Sequence, residues 1–429
     1  MFPSIPQGSY RLVNGRVPAC ALERDDTDVL VKADIVVVDG KIAAIGASEA
    51  HGALPVVDLD GGMIWPTCIE LHTHLDKGHT LGRTSNATGT HDDALAAVTA
   101  DRGLWSAEDV AARMEFSLRC AYAYGTSAIR THIDSFPPQG EISWPVFSEL
   151  KRKWAGRVEL QGSCLVHLPF FDTPEAARLA DLVADHGGIL GVAAKSMPGM
   201  EKTFDRFFEL AVDRNLDIDV HADETADPLS NNLEDLADAT MRHGWEGRVV
   251  AGHCCSLAQR TDEEAARTIA KVRDAGITIV ALPMCNMYLQ GRSEGRTPRW
   301  RGVTLMQELA AAGVPVAMAS DNTRDPFYAY GDLDPVEVFT QAVRIAHLDL
   351  PADPWLAGIT STPANAMGLK GAGKIAVGLP ADLILFRVRD WTELLARPRA
   401  ARLVIRGGAV LNAEVPDYRE LDALFVRTA

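Results

Sequence analysis

Between residues 65 and 370 short apolar runs alternate with segments of helical periodicity, and the alternation repeats eight times. The runs are Cys68–Leu75, Ala128–Ser135, Val158–His167, Gly188–Ser196, Leu216–Asp223, Arg248–Ser256, Ile277–Asn286 and Pro315–Asp321. Segments between them, among them Ala107–Tyr124, Glu175–Asp185 and Asp262–Asp274, place apolar residues three and four apart, as a helix with one buried face requires. Strands separated by helices cannot pair as hairpins and become parallel neighbours. Eight such units in a stretch of this length predict an α/β fold, a closed (β/α)8 TIM barrel, in preference to an open doubly wound sheet.

The two ends of the chain read differently. Tyr10–Val13, Ala33–Val38 and Lys41–Ile45, with Asp39-Gly40 between the last two, have the composition of strands and a tight hairpin turn. Ala381–Phe386 and Leu403–Arg406, the latter followed by Gly407-Gly408, repeat the style at the far end. Neither set can bury a sheet alone, because a few exposed strands are marginal in water. The expectation is one small composite β-sandwich domain built from residues 1–64 and 371–429, flanking a barrel over 65–370.

The 429 residues suffice for a barrel of about 250 residues and a smaller domain. A net charge of −16 without any compensating basic cluster argues against a nucleic-acid partner. No run reaches the roughly 18 apolar residues of a membrane span, and the N-terminus lacks a basic then apolar leader, so no membrane partner is expected. Seven scattered cysteines without a C-x-x-C motif indicate neither a disulfide framework nor a zinc knuckle, and point to the cytoplasm.

The polar residues fall where a barrel does its chemistry, at the C-terminal ends of its strands. His72 and His74 lie one residue apart, so both imidazoles share one face of the first strand. His221, His253 and Asp321 end three later runs. Imidazoles with a carboxylate suit one divalent first-row cation, Zn2+ or Fe2+, and His72, His74, His221 and Asp321 are expected to hold it. Such a cation acidifies a bound water to a pKa of about 7, which makes a hydrolase the default reading, with Asp321 placed to accept the water proton. Glu224, three residues past His221, is the candidate proton carrier to a substrate ring nitrogen, against the alternative of a surface glutamate opening the next helix. His253 is expected to donate to the attacking oxygen, since a fifth ligand would crowd the open position. Lys195 ends the fourth strand, where a carboxylated lysine would bridge two metals as in a binuclear cyclic amidase; a pocket-lining role is preferred. Cys254 and Cys255 point to opposite faces of a strand, and buried inert thiols are the commoner case.

Five motifs together resemble the amidohydrolase superfamily and, within it, the bacterial cytosine deaminase group. They are His72-Thr73-His74-Leu75-Asp76, Arg130-Thr131-His132-Ile133-Asp134, Asp219-Val220-His221-Ala222-Asp223-Glu224, Asn286 through Arg292, and Asp321 with Asp325-Pro326-Phe327-Tyr328-Ala329-Tyr330-Gly331. Gly378-Leu379-Pro380-Ala381-Asp382-Leu383 resembles the return of such chains to their β domain. The resemblance implies a metal-dependent deaminase that converts cytosine or a related aminopyrimidine and water to uracil and ammonia. It assigns the metal to the residues matching His72, His74, His221 and Asp321, proton transfer to Glu224, and a place beside the nucleophilic hydroxide to His253. A small nucleobase-like substrate and a homo-oligomer are further implications. Departures cluster where the base is read. His167 stands at the position of a recognition glutamine, Asp321-Asn322 replaces an Asp-Asp pair, Phe327 replaces a tryptophan, and Lys77 follows the first motif. These four are the candidate substrate-binding residues, and isocytosine or an alkylamino-triazine is the alternative substrate. A barrel that binds without catalysing would have to keep every catalytic position filled for no purpose.

Overall fold

The computed structural model describes residues 2–22, 28–46, 51–397 and 400–425. The chain divides into two compact units. One comprises Met1–Ile69, Arg119–Ala128 and Asp334–Val415; the other comprises Glu70–Leu118, Ile129–Leu333 and Pro416–Ala429.

The strands, in chain order, begin with β1 (Tyr10–Pro18), β2 (Leu30–Val38), β3 (Lys41–Ile45), β4 (Val56–Asp58) and β5 (Ile64–Pro66). The central series is β6 (Cys68–Thr73), β7 (Thr126–Asp134), β8 (Glu159–Leu165), β9 (Leu190–Ala193), β10 (Ile218–Ala222), β11 (Val249–His253), β12 (Thr278–Ala281) and β13 (Val316–Met318). The last are β14 (Leu383–Phe386), β15 (Arg402–Arg406) and β16 (Ala409–Val410).

In the first unit β3-β2-β1-β4 form one sheet and β16-β15-β14-β5 another, so strands from opposite ends of the sequence are hydrogen-bonded neighbours. Alternate residues of both sheets, among them Tyr10, Leu12, Ile35, Val37, Ile64, Leu383, Leu385 and Ile405, share one apolar core. The period of two along each strand is what turns one row of side chains inward.

The central strands follow the ring order of a TIM barrel. β6-β7-β8 are neighbours, as are β9 to β13. Parallel bridges Ser163↔Ile189 and Thr73↔Asp321 join the two series at both ends and close the ring. The fit between β8 and β9 needs a glycine: a Cβ on Gly191 would come within 2.2 Å of both the Cys164 carbonyl oxygen and the Ser163 hydroxyl. Helices alternate with the strands, as the apolar spacing predicts. Asp262–Asp274 is representative: Thr261 and Glu264 form a reciprocal capping box, acidic residues open the helix and basic ones end it, and Ala265, Thr268, Ile269 and Val272 form its buried stripe. Among the described residues no helix is long and apolar enough to cross a membrane.

Candidate active site

β6 carries His72 and His74 to the barrel mouth on one face, and the seam with the last strand brings Asp321 to meet them. The Asp321 amide donates to the His72 carbonyl at 2.9 Å, and the Thr73 hydroxyl donates to the Asp321 carbonyl at 2.8 Å. The buried Glu70 carboxylate accepts from the amides of His72 and Ser320, each at 3.1 Å. Asp321 Oδ1 then lies 3.2 Å from His74 Nε2 and 3.5 Å from His72 Nε2. β10 adds His221, whose Nε2 is 3.3 Å from His74 Nε2.

These separations test whether the residues fit a cation. A tetrahedral shell with metal–nitrogen distances of about 2.0 to 2.1 Å has edges of about 3.4 Å, matching the observed spacing. The atoms are also stranded without one. Both ring nitrogens of His72, Nδ1 of His74 and His221, and both carboxylate oxygens of Asp321 are buried and find no hydrogen-bond partner among the described residues. A buried carboxylate beside converging nitrogen lone pairs is costly unless a positive charge lies among them. The residues fit a divalent cation, which His72, His74, His221 and Asp321 would hold.

The ends of these strands bend sharply. Asp223, His253, Cys254 and Asp321 have φ of 53°, 69°, 48° and 62°, the left-handed region that such residues seldom enter. The turn at Asp223 is fastened by its carboxylate, which accepts from the Ser230 hydroxyl at 2.6 Å and from the amides of Asn232 and Leu233 at 2.9 and 3.1 Å. Glu224 is thereby aimed into the cavity. Its Oε1 lies 3.5 Å from His253 Nδ1 and its Oε2 lies 3.5 Å from His91 Nε2. Burial pushes the Glu224 carboxyl up, but His253 and His91 outweigh it and hold the group below the ordinary carboxylate range. The Asn286 amide meets His253 Nδ1 at 3.0 Å. When Asn286 donates there, the imidazole proton resides on Nε2, the buried nitrogen on the cation side.

The substrate-reading candidates line the same cavity of about 410 Å³, within the range of small-molecule sites. Lys77 is buried, with Nζ 3.6 Å from Asp134 Oδ1 and 5.0 Å from the Phe327 ring centre. Burial lowers its pKa, but Asp134 and Asp76 more than offset this, so it stays cationic. Asn322 and Phe327 are set by Asp325, which accepts from the Asn322 amide at 2.7 Å and from the Phe327 amide at 2.8 Å. His167 lies in the cavity wall with its ring 5.2 Å from that of Phe136. Lys195 also lines the cavity; Cys254 and Cys255 are buried and belong to none of the groups of His, Cys, Asp and Glu among the described residues that could hold a metal ion.

Sequence reasoning passed over three residues here. His91 opens the helix His91–Asp101 that follows β6, and nothing in its own position sets it apart from an exposed first-turn residue. Asn286 is in a motif that carried the resemblance but received no role. Gly252, next to His253, was read only as part of a strand, yet a Cβ there would lie 2.9 Å from His72 Nδ1 and 2.8 Å from its Cε1. Gly252→Ala is therefore expected to push the His72 ring out of line and lower cation affinity at least 10-fold, by chelator competition, while the fold persists by circular dichroism.

Comparison with known proteins agrees with this geometry. Residues 170–412 match the Amidohydrolase family. The chain is 52% identical to pterin deaminase of Rhizobium rhizogenes, over 99% of this chain and 98% of that protein. It is 25% identical to N-isopropylammelide isopropyl amidohydrolase of a Pseudomonas species, over 88% of this chain and 93% of that protein. In structure it resembles 5-methylcytosine deaminase from Klebsiella pneumoniae, with a TM-score of 0.81 and 24% identity over 95% of this chain and 98% of the other. The chain belongs to the amidohydrolase family, as a hydrolytic deaminase of that type.

Proposed function

We propose that this deaminase hydrolyses the exocyclic amine of a 2-amino-4-oxopteridine, giving the 2,4-dione and ammonia. The observation that carries the reading is the 52% identity, across nearly the whole of both chains, to a protein named for pterin deamination. The cavity supports it: about 410 Å³, with Phe136 and Phe327 as flat apolar walls, leaves room for a bicyclic ring. The isocytosine alternative is chemically close, because its 2-amino-4-oxopyrimidine ring is one half of a pterin. Cytosine presents its amine at the other end of the amidine.

His72, His74, His221 and Asp321 would hold one divalent cation, Zn2+ or Fe2+, which supplies water acidified to a pKa of about 7. Glu224 takes a proton from the water and delivers it to the ring nitrogen N1 as the C2–O bond forms. His253, with its proton on Nε2, donates to the oxygen that gains charge. The tetrahedral carbon then carries both OH and NH2. Asp321 accepts the hydroxyl proton and passes it to the amine, and the C2–N bond breaks. One water is consumed and one ammonia leaves. Lys77 Nζ donates to the 4-oxo group, Phe327 packs against the ring, and His167 and Asn322 offer hydrogen bonds to its polar edge.

Ammonia release from a panel of pterin, isocytosine, cytosine and an alkylamino-triazine tests the substrate. Pterin is expected to exceed cytosine in kcat/KM by roughly 100-fold or more, because a site built to bond polar groups rejects analogues that misplace them. Turnover of cytosine above pterin would return the reading to an aminopyrimidine. Glu224→Gln is expected to lower kcat about 10² to 10⁴-fold with cation content unchanged by elemental analysis. Lys77→Met, which leaves Asp134 its contact with Arg102 at 2.8 Å, is expected to raise KM for pterin far more than it changes cation content.

A further inference from the structure

One motif of the sequence has no part in the mechanism above: Arg130-Thr131-His132 on β7. Arg130 and His132 lie two residues apart, as do Asp219 and His221 on β10, so each pair faces the barrel interior. Arg130, His132 and Asp219 are all fully buried. Arg130 Nη1 donates to Asp219 Oδ2 at 2.9 Å, and its Nε and Nη2 reach Gln161 Oε1 at 3.3 and 3.1 Å. The charge of Asp219 is therefore held on one side only. Its Oδ1 finds no hydrogen-bond partner among the described residues, and neither does either nitrogen of His132. His132 Nε2 stands 3.9 Å from that oxygen, too far for a hydrogen bond.

The unused atoms face the cation cradle. The His132 ring centre is 4.1 Å from that of His72, 4.5 Å from His221 and 5.1 Å from His74, so it lies against all three imidazoles. One ligand atom each from His72, His132 and Asp219 fall within 4.8 Å of one another. His72 turns Nε2 toward Asp321, which leaves Nδ1 for this side. A metal-ligating imidazole needs an acceptor for its second nitrogen to fix its tautomer, and Nδ1 of His72 has none among the described residues except through this group.

We propose that Asp219 is a positioning residue for the cation site: anchored by Arg130, its free oxygen accepts the Nδ1–H of His72, directly or through one water shared with His132. The proton so fixed keeps the Nε2 lone pair of His72 bare toward the cation. The inference rests on the cradle assignment and is independent of the pteridine reading.

The full chain, freed of metal and titrated with Co2+, provides the test. Asp219→Asn is expected to lower Co2+ affinity about 10 to 100-fold by chelator competition and to shift the visible absorption band. Asp219→Asn removes the carboxylate charge opposite Arg130, so Arg130→Gln with Asp219→Asn serves as a second variant in which the charged pair is removed together. Wild-type affinity and an unshifted band in a folded variant would overturn the proposal. A third readout needs no variant: a crystal structure of the Co2+-loaded wild type should show His72 Nδ1 bonded to Asp219 or to a water that Asp219 holds. A different acceptor for Nδ1 would overturn it. A wild type that binds no Co2+ would overturn the cradle itself, and is distinct from a wild type that binds it as tightly as its variants.

Discussion

The site depends on one seam, where the first barrel strand meets the last. Glu70 and Ser320 are 250 residues apart, yet the Glu70 carboxylate accepts the Ser320 amide and the His72 amide together. Burial pushes this carboxyl up to about 7, while the bonds to Ser320 and His72 pull the other way. Such charge-assisted bonds contribute about 1.5 to 3 kcal/mol each, enough to oppose the cost of burying the group. With the Asp321 amide on the His72 carbonyl, the seam sets the two strand ends in register. Only in that register do His72 and His74 face Asp321. Ring closure and assembly of the cradle are therefore the same event in folding, and a chain that fails to close has no site.

Rigidity and reach are divided between different parts of the barrel unit. His72, His74, His221 and Asp321 belong to strand ends, or to the first residues past them, where backbone bonds to both neighbours limit movement. The residues that would meet the substrate come from the connecting segments: His91 from the segment after β6, His167 past β8, Glu224 past β10 and Phe327 past the last strand. The positive φ values at Asp223, His253 and Asp321 lie where the two meet, where the chain turns out of the sheet and must still aim a side chain inward. That strain of about 1 to 3 kcal/mol each is borne by the surrounding bonds, the clasp of Asp223 on Ser230, Asn232 and Leu233 among them.

The barrel was legible because its signal is long and repetitive. Seven of the eight predicted runs contain an observed strand and the other, Ala128–Ser135, overlaps β7, which starts two residues earlier; Glu175–Asp185 and Asp262–Asp274 are helices over the predicted residues. His72, His74, His221 and Asp321 could be grouped because each ends an apolar run, a position that gives a polar residue meaning in this fold. Other residues escaped for identifiable reasons. His91 opens the helix His91–Asp101, where a polar first-turn residue is ordinary. Gly252 acts through the side chain it lacks, so nothing in its own chemistry marks it. Asp219 was visible only as a letter beside His221, since the value of a buried carboxylate depends on what packs against it across the barrel, here Arg130 and His132. Sequence patterns report faces and ends of elements well. They do not report cross-barrel neighbours, which the ring closure determines.

This division separates what the reaction demands of the chain from what recognition of a ring demands. The relatives named pterin deaminase and N-isopropylammelide isopropyl amidohydrolase each align with most of this chain's length. Removing an amine by water makes the same demand in each case: an acidified water, a carboxylate to move one proton, and a donor for the developing charge. Those groups sit on or beside strand ends that the seam holds fixed. Ring recognition makes a different demand, because a buried donor or acceptor left unpaired by the wrong ring costs 1 to 3 kcal/mol. A single exchange in the cavity wall, such as histidine for glutamine at position 167, can redirect that term without touching a bond in the cradle. Specificity here can therefore change one connecting segment at a time, whereas a single added methyl group at Gly252 would press directly on the His72 ring.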